Sequence, residues 1–189
     1  KGMYVMGENP VMSDPDQSHT IEGMCKLDTL IVQDIFMTET AWYADIILPA
    51  SAHAEKNGTF TNTNRQVQMG RKVINPPGEA REDLEIINDL GKALGLDWNY
   101  NHASEVFNEM SKVMPSLNNI SWERVDKEDS VTYPCDDKNL PGNEIVFSQN
   151  FPTSSGLAKI VPTDLISPHE LPDQKFPFVL TTGRLLEHW

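Results

Sequence analysis

Short apolar runs alternate with polar clusters through the first fifty residues. Met3–Met6 (MYVM) is apolar and stops at Gly7-Glu8-Asn9-Pro10, a turn-forming cluster. Leu30–Val32 is a second apolar run, closed by Gln33-Asp34, and Asp45-Ile-Ile-Leu-Pro is a third, closed by Pro49. Between the first two, SDPDQSHTIEGMCK predicts a helix that begins near Asp14, with Pro15 in its first turn. Thr38–Ala44 suits a short helix between the second and third runs. This β-α-β-α-β rhythm predicts an α/β fold: a Rossmann-like parallel sheet flanked by helices, with the three strands as neighbours.

Beyond Pro49 the periods change. Ala50–Asn75 shows no clean repeat and is expected to be a long ordered loop. Glu82–Leu94 reads as a helix with Leu84, Ile87, Leu90 and Leu94 on one stripe, and Gly95 closes it. Ala103–Met114 is a second helix, with Val106, Phe107, Met110 and Val113 facing inward. Ser121–Asp126 adds a turn, and Lys127–Asn150 is a polar, irregular excursion. Gly156–Pro162 reads as a strand, Ser167–Lys175 as a Pro-rich linker and Phe176–Thr182 as a last strand. The Pro-rich stretch therefore places a boundary near Ser167, with a domain at 1–166 and a linker and last strand at 167–189. With no partner strands to hand, Phe176–Leu180 is expected to be an exposed tail prone to self-association.

Charge narrows the function. The 189 residues carry 28 acidic and 15 basic side chains, a formal net charge of -13. Such a body repels nucleic acid and anionic membrane. Lys56, Arg65, Arg71, Lys72 and Arg81 nevertheless cluster in sequence and form a candidate phosphate patch. The two cysteines, Cys25 and Cys135, exclude a disulfide framework and a four-Cys metal site, and read as buried free thiols. No apolar run reaches the about 18 residues of a membrane span. The five histidines have no metal-ligand spacing, and no P-loop or GxGxxG is present. The chain shows no catalytic centre of its own and reads as an internal piece of a longer polypeptide.

Several motifs each carry a plain reading beside a chemical one. Gly7-Glu8-Asn9-Pro10 is a turn, or a close backbone approach to a ligand. Asp34 is a helix cap, or an acceptor for the N1–H and 2-amino group of guanine or for a ribose diol. Glu55–Thr59 and Asn62–Arg65 form a solvated loop, or a phosphate cradle built on Lys56 and Gly58. Asp83 suits the positive end of a helix dipole without any ligand.

Five pieces, GENP, VQDIFMTETA, ADIILPA, EKNGTFTNTNRQVQ and PPGEAREDLEII, stand here in one order. That order resembles the molybdopterin oxidoreductases of the dimethyl-sulfoxide-reductase class. QDIFMTETA and Pro134-Cys135 lean towards formate dehydrogenase catalytic (alpha) subunits rather than periplasmic nitrate reductases. The resemblance covers essentially the whole chain. It implies a bis-molybdopterin guanine dinucleotide cofactor with molybdenum or tungsten, and a parent that oxidises formate to carbon dioxide. It implies nucleotide contacts from Asn9 and Ser13, from Gln33 and Asp34, from Lys56 and from Asp83. TTGRLLEHW resembles the opening of the family's C-terminal, barrel-like domain, which would bring Thr182, Gly183 and Arg184 to the pterin side. The family's 4Fe-4S cysteines and metal-ligating residue lie upstream of the matched region, so this piece is expected to be inactive alone. Implied partners are the remaining domains of the polypeptide and electron-transfer subunits, in the cytoplasm or the periplasm. Two alternatives stay open: another oxyanion substrate such as nitrate, and a non-enzymatic α/β interaction module.

Overall fold

β1 (Gly2–Met6), β2 (Thr29–Asp34) and β3 (Ile46–Pro49) form a parallel sheet in the order β1-β2-β3. Val5 pairs with Val32, which in turn pairs with Ile47. The computed structural model describes residues 1–181 and 183. It divides into two units, Lys1–Val146 and Phe147–Trp189. The boundary drawn from composition lies inside the second unit.

The expected helix after β1 is two helices, α1 (Pro10–Ser13) and α2 (Gln17–Cys25). Pro10 opens α1 because its missing N–H needs no helical partner there. Asp16 starts α2 by accepting a hydrogen bond from the His19 N–H at 3.0 Å, so the helix begins later than Pro15 implied. Between β2 and β3 the expected helix shrinks to one 3-10 turn, Ala41–Tyr43. Val5, Val11, Met24, Leu30, Val32 and Ala41 form the core beneath this sheet.

The long loop contains a second sheet that its sequence concealed. β4 (Gly58–Thr61) and β5 (Gln66–Gly70) pair antiparallel, and β6 (Ser130–Thr132) joins the far side of β5. Asn62 makes the turn: its side-chain oxygen accepts the Gln66 N–H at 2.9 Å, while Arg65 takes a left-handed φ of 68°. Three helices belong to this part of the chain: α3 (Asp83–Ala93), α4 (Ala103–Val113) and α5 (Trp122–Glu128). A second core holds Val67, Phe107, Leu117, Ile120, Val125, Val131 and Cys135.

Two stripes differ from expectation. On α3 the buried positions are Ile86, Asn88 and Gly91, while Leu94 is exposed. On α4 only Phe107 is buried, and Val106, Met110 and Val113 lie at the surface.

The described part of the second unit contains no helix or strand. Gly156, at φ 70°, closes a turn in which Phe151 N–H reaches the Gly156 carbonyl at 2.9 Å. That turn removes the start of the strand expected at 156–162. Pro177 interrupts the run at 176–181 and has no N–H to give a ladder, so no strand forms there either. Thr182, the end of that expected strand, lies outside the described residues. Among the described residues no helix is long and apolar enough to cross a membrane.

Candidate functional site

The carboxyl ends of β1, β2 and β3 open on a cleft of about 350 Å3. Four chain segments supply its polar wall: Gly7 after β1, Gln33 and Asp34 at the end of β2, Ser51 and Lys56 beyond β3, and Asp83 at the start of α3. Parallel strands put successive loops on one edge, which is why residues so far apart in sequence meet here.

A linked network holds the wall. Gln33 is fully buried. Its Oε1 accepts a hydrogen bond from the Tyr4 hydroxyl, and its Nε2 donates to Asp83 Oδ1. Asp83 Oδ2 pairs with Lys56 Nζ, which also donates to the Ser51 carbonyl at 3.1 Å. Burial, aided by the charge on Asp83, pushes the Tyr4 phenol above its usual range and keeps it a donor. Asp83 is the first residue of α3, where a carboxylate meets the positive end of the helix.

Asp34 uses one oxygen to hold its own turn, with Oδ1 accepting the Ile35 N–H at 2.7 Å. Among the described residues its Oδ2 accepts no hydrogen bond. Gly7 sits at φ 63°, donates its N–H to the Gln33 carbonyl at 2.9 Å, and has open space where a Cβ would stand. Ser51 is 1% exposed, and its hydroxyl has no hydrogen-bond partner among the described residues. The sequence reading passed over Ser51. Its one signal was position, directly after the Pro49-Ala50 end of a strand whose neighbours carry the site.

Of the nine residues implied by resemblance, Gln33, Asp34, Lys56 and Asp83 meet in this cleft. Asn9 stands beside it and ties two loops together. Its Nδ2 donates to Glu39 Oε2 at 2.7 Å, and its Oδ1 accepts from the Thr40 N–H at 3.1 Å and the Thr40 hydroxyl at 2.8 Å. The hydrogen bond from Asn9 holds the Glu39 carboxyl below its ordinary range. Ser13 is exposed at the end of α1 and does not line the cleft. Gly183 belongs to the second unit, and Thr182 and Arg184 lie outside the described residues.

The basic cluster disperses. Arg65 donates to the backbone carbonyls of Tyr133 and Glu144. Arg71 pairs with Asp126 and Asp129, Lys72 with Glu82, and Arg81 with Glu85 and Asp89. Only Lys56 reaches the cleft, so no five-residue phosphate patch forms. Asn57, next to it, is exposed and accepts the Lys72 N–H at 3.0 Å, which ties the start of β4 to the far end of the hairpin. Cys135 is buried beside the Arg124 guanidinium at 3.2 Å, but Cys25 is exposed, against the expectation of two buried thiols.

An α/β domain with a polar cleft at the carboxyl edge of a parallel sheet is the class this fold defines. Residues 1–93 match the family model for molybdopterin oxidoreductase, and through them the chain belongs to the molybdopterin oxidoreductase family. The whole chain is 49% identical to the F420-dependent formate dehydrogenase subunit alpha of Methanocaldococcus jannaschii, covering 28% of that protein. It is 34% identical to the assimilatory nitrate reductase catalytic subunit of Bacillus subtilis, again over the whole chain and 28% of the relative. Among solved structures, acetylene hydratase from Pelobacter acetylenicus shares the fold, with a TM-score of 0.58 at 24% identity. That match covers 70% of this chain and 18% of the hydratase. The chain therefore spans about a quarter of the length of the relatives it matches.

Proposed function

We propose that the cleft at the carboxyl edge of β1–β3 holds a guanine nucleotide half of a bis-molybdopterin guanine dinucleotide, and that the complete enzyme oxidises formate to carbon dioxide. The observation that carries this reading is the meeting of Gln33, Asp34, Lys56 and Asp83 in one cleft from separate segments. Their chemistry fits the group. The free oxygen of Asp34 suits the N1–H and 2-amino donors of guanine. Lys56 offers an ammonium, Gly7 leaves room for close approach, and the Ser51 hydroxyl lacks a partner.

In this reading Asp34 recognises the base, and Gln33, held by Tyr4 and Asp83, keeps β2 and the start of α3 in register. The Lys56–Asp83 pair fixes the loop beyond β3 before the nucleotide arrives. When bound, the molybdenum or tungsten pterin centre supplies the acceptor for the two electrons that formate gives up as it loses a proton and becomes carbon dioxide. The 4Fe-4S cluster that carries those electrons onward and the subunits that receive them would lie outside this chain. The net charge of -13 supports a piece without contact to nucleic acid or anionic membrane, and the cytoplasm is the compartment proposed for the complete enzyme. The likeness to a nitrate reductase supports a second reading, in which the same cofactor serves an oxyanion reduction.

The test is calorimetric titration of the chain with GDP and with ADP, in the wild type and in Asp34→Asn. GDP is expected to bind weakly, because the donors for its phosphates are incomplete in this piece. Asp34→Asn should cost about 1–3 kcal/mol of GDP affinity, the range for an unpaired buried polar group. ADP should bind no better to the wild type than to the variant. Equal affinity for GDP in both proteins would refute the role of Asp34. Formate and nitrate turnover by the complete enzyme separates the two substrate readings.

A further inference from the structure

His53 lines the same cleft as Asp34, Lys56 and Asp83, and the nucleotide reading leaves it without a task. It opens a 3-10 turn, His53–Glu55, between β3 and β4. The backbone of this turn is pinned. The Ala52 N–H reaches Glu55 Oε2 at 2.8 Å, and the Glu55 N–H returns to the Ala52 carbonyl at 3.0 Å. The Ala54 carbonyl accepts the Val73 N–H at 2.8 Å. His53 itself is exposed, and its ring makes no hydrogen bond among the described residues. The turn fixes where the ring can reach and leaves its nitrogens open to a ligand.

The surrounding charges say which ligand the ring can serve. Of the ionisable side chains lining the cleft, Asp34 and Asp83 are acids and Lys56 is the one lasting cation. Lys56 already pairs with Asp83. Asp34 is left uncompensated, so the cleft is negative while His53 is neutral. Glu55, on the same turn, and Glu79 line an adjoining cavity of about 480 Å3 and add the same sign. Tyr4 stands behind the wall as a neutral donor to Gln33. The diphosphate of the proposed ligand is a polyanion, and this wall opposes it. The N–H groups of guanine can satisfy Asp34, but they bring no charge to the phosphates. Histidine is the one side chain lining the cleft that can gain positive charge near neutral pH.

We propose that His53 is a second cation of the phosphate end, taking up a proton as the diphosphate binds and donating to it beside Lys56. A solvent proton joins the free imidazole nitrogen, and the imidazolium N–H then bonds a phosphate oxygen. His53 and Lys56 leave one pinned segment, so both reach the cleft without rearrangement of the backbone. An anion favours the charged ring, and by linkage its affinity falls as pH rises through the range in which histidines lose their proton. The inference deepens the nucleotide reading and rests on it for the identity of the anion.

Calorimetric titration of the chain with inorganic pyrophosphate, GDP and guanosine tests it, in wild type, His53→Gln and His53→Lys. At a pH of about 6 the wild type should bind pyrophosphate and GDP about two- to fivefold more tightly than His53→Gln, and at a pH of about 8 the two proteins should bind them equally. His53→Lys should bind as tightly as wild type at the lower pH and keep that affinity at the higher. Guanosine should not distinguish the three proteins. A ratio of wild type to His53→Gln that stays flat with pH would overturn the proposal, as would pyrophosphate that fails to bind the wild type. So would a loss of guanosine affinity in His53→Gln equal to the loss for GDP, which would place the ring at the base. If guanosine binds none of the proteins while the pyrophosphate ratio follows pH as expected, the nucleotide reading falls and the anion contact of His53 stands.

Discussion

Asp83→Asn isolates the interaction on which the cleft wall depends. Asp83 and Lys56 side chains are 27% and 25% exposed, so each is about three-quarters buried. An ion pair at about 4 Å is worth about 4 kcal/mol at an effective dielectric of 20, whereas a fully exposed pair is worth about 0–1 kcal/mol. Partial burial and the desolvation of both groups place this pair at about 1–3 kcal/mol. Loss of a negative charge from the first turn of α3 adds about 0.3–1 kcal/mol. The introduced amide can still accept from Gln33 Nε2 but presents N–H groups to the Lys56 ammonium. Urea denaturation followed by circular dichroism should therefore show a loss of about 2–3 kcal/mol, a fall of about 2–4 °C in midpoint temperature per kcal/mol for a chain of this size. In a cycle with Lys56→Met, the double variant should cost less than the sum of the singles by about 1–2 kcal/mol. A coupling near zero, with a single-site cost below about 0.5 kcal/mol, would refute a network that is formed before any ligand binds.

Ser51→Ala removes a buried hydroxyl that has no partner, so the ligand-free chain should be as stable as wild type or more stable by up to about 1 kcal/mol; a clear loss in thermal melts would mean that the hydroxyl is satisfied within the fold. Glu39 has its folded pKa depressed by Asn9, so its contribution is present above the ordinary glutamate range and lost as pH falls through the lowered folded value. The Asn9 side-chain amide resonances should therefore hold steady down through the ordinary glutamate range and move only below it, and a shift centred on the ordinary value would contradict the tether. Tyr4 has the opposite sign: its raised pKa keeps the bond to Gln33 intact through the ordinary tyrosine range and weakens it only at higher pH, which ultraviolet titration of Tyr4→Phe against wild type can read. With a thiol reagent, Cys25 should react at once and Cys135 only on unfolding; equal rates would show that the second core opens readily.

The parallel sheet was legible because each strand is a short apolar run ended by turn chemistry, and the runs recur at helix-sized intervals. The four cleft residues were named through the resemblance, because by pattern alone Asp34 read equally as a helix cap, the Lys56 segment as a solvated loop and Asp83 as a helix-dipole partner. The β4–β5 hairpin was hidden. Its turn is Asn62-Thr63-Asn64-Arg65, where a non-glycine residue takes the left-handed conformation, and its strands bury little besides Val67. Charged residues in that segment drew attention as phosphate donors, although carboxylates and carbonyls of the fold hold all of them and only Lys56 is held at the cleft. The stripes on α3 and α4 were read as core because periodicity reports which face wants burial, not whether a neighbour is present to bury it. Ser51 escaped because a lone serine after a strand has no pattern. Its distinction is an unmet hydrogen bond, which exists only in three dimensions.

Asn57 gives the cleft a chemical clock. Asparagine side chains deamidate when the following backbone nitrogen attacks the side-chain carbonyl carbon, and glycine hinders that attack least. Asn57 is exposed and is followed by Gly58. Its conversion to a carboxylate would place new negative charge one residue from Lys56, beside the ammonium that Asp83 holds, while an oxygen remains to accept the Lys72 N–H. Asn9, the tether of the neighbouring loops, is followed by Pro10, whose nitrogen carries no hydrogen and cannot close the ring. Ageing in storage would thus erode the Lys56 side of the cleft first and leave the Asn9 side intact.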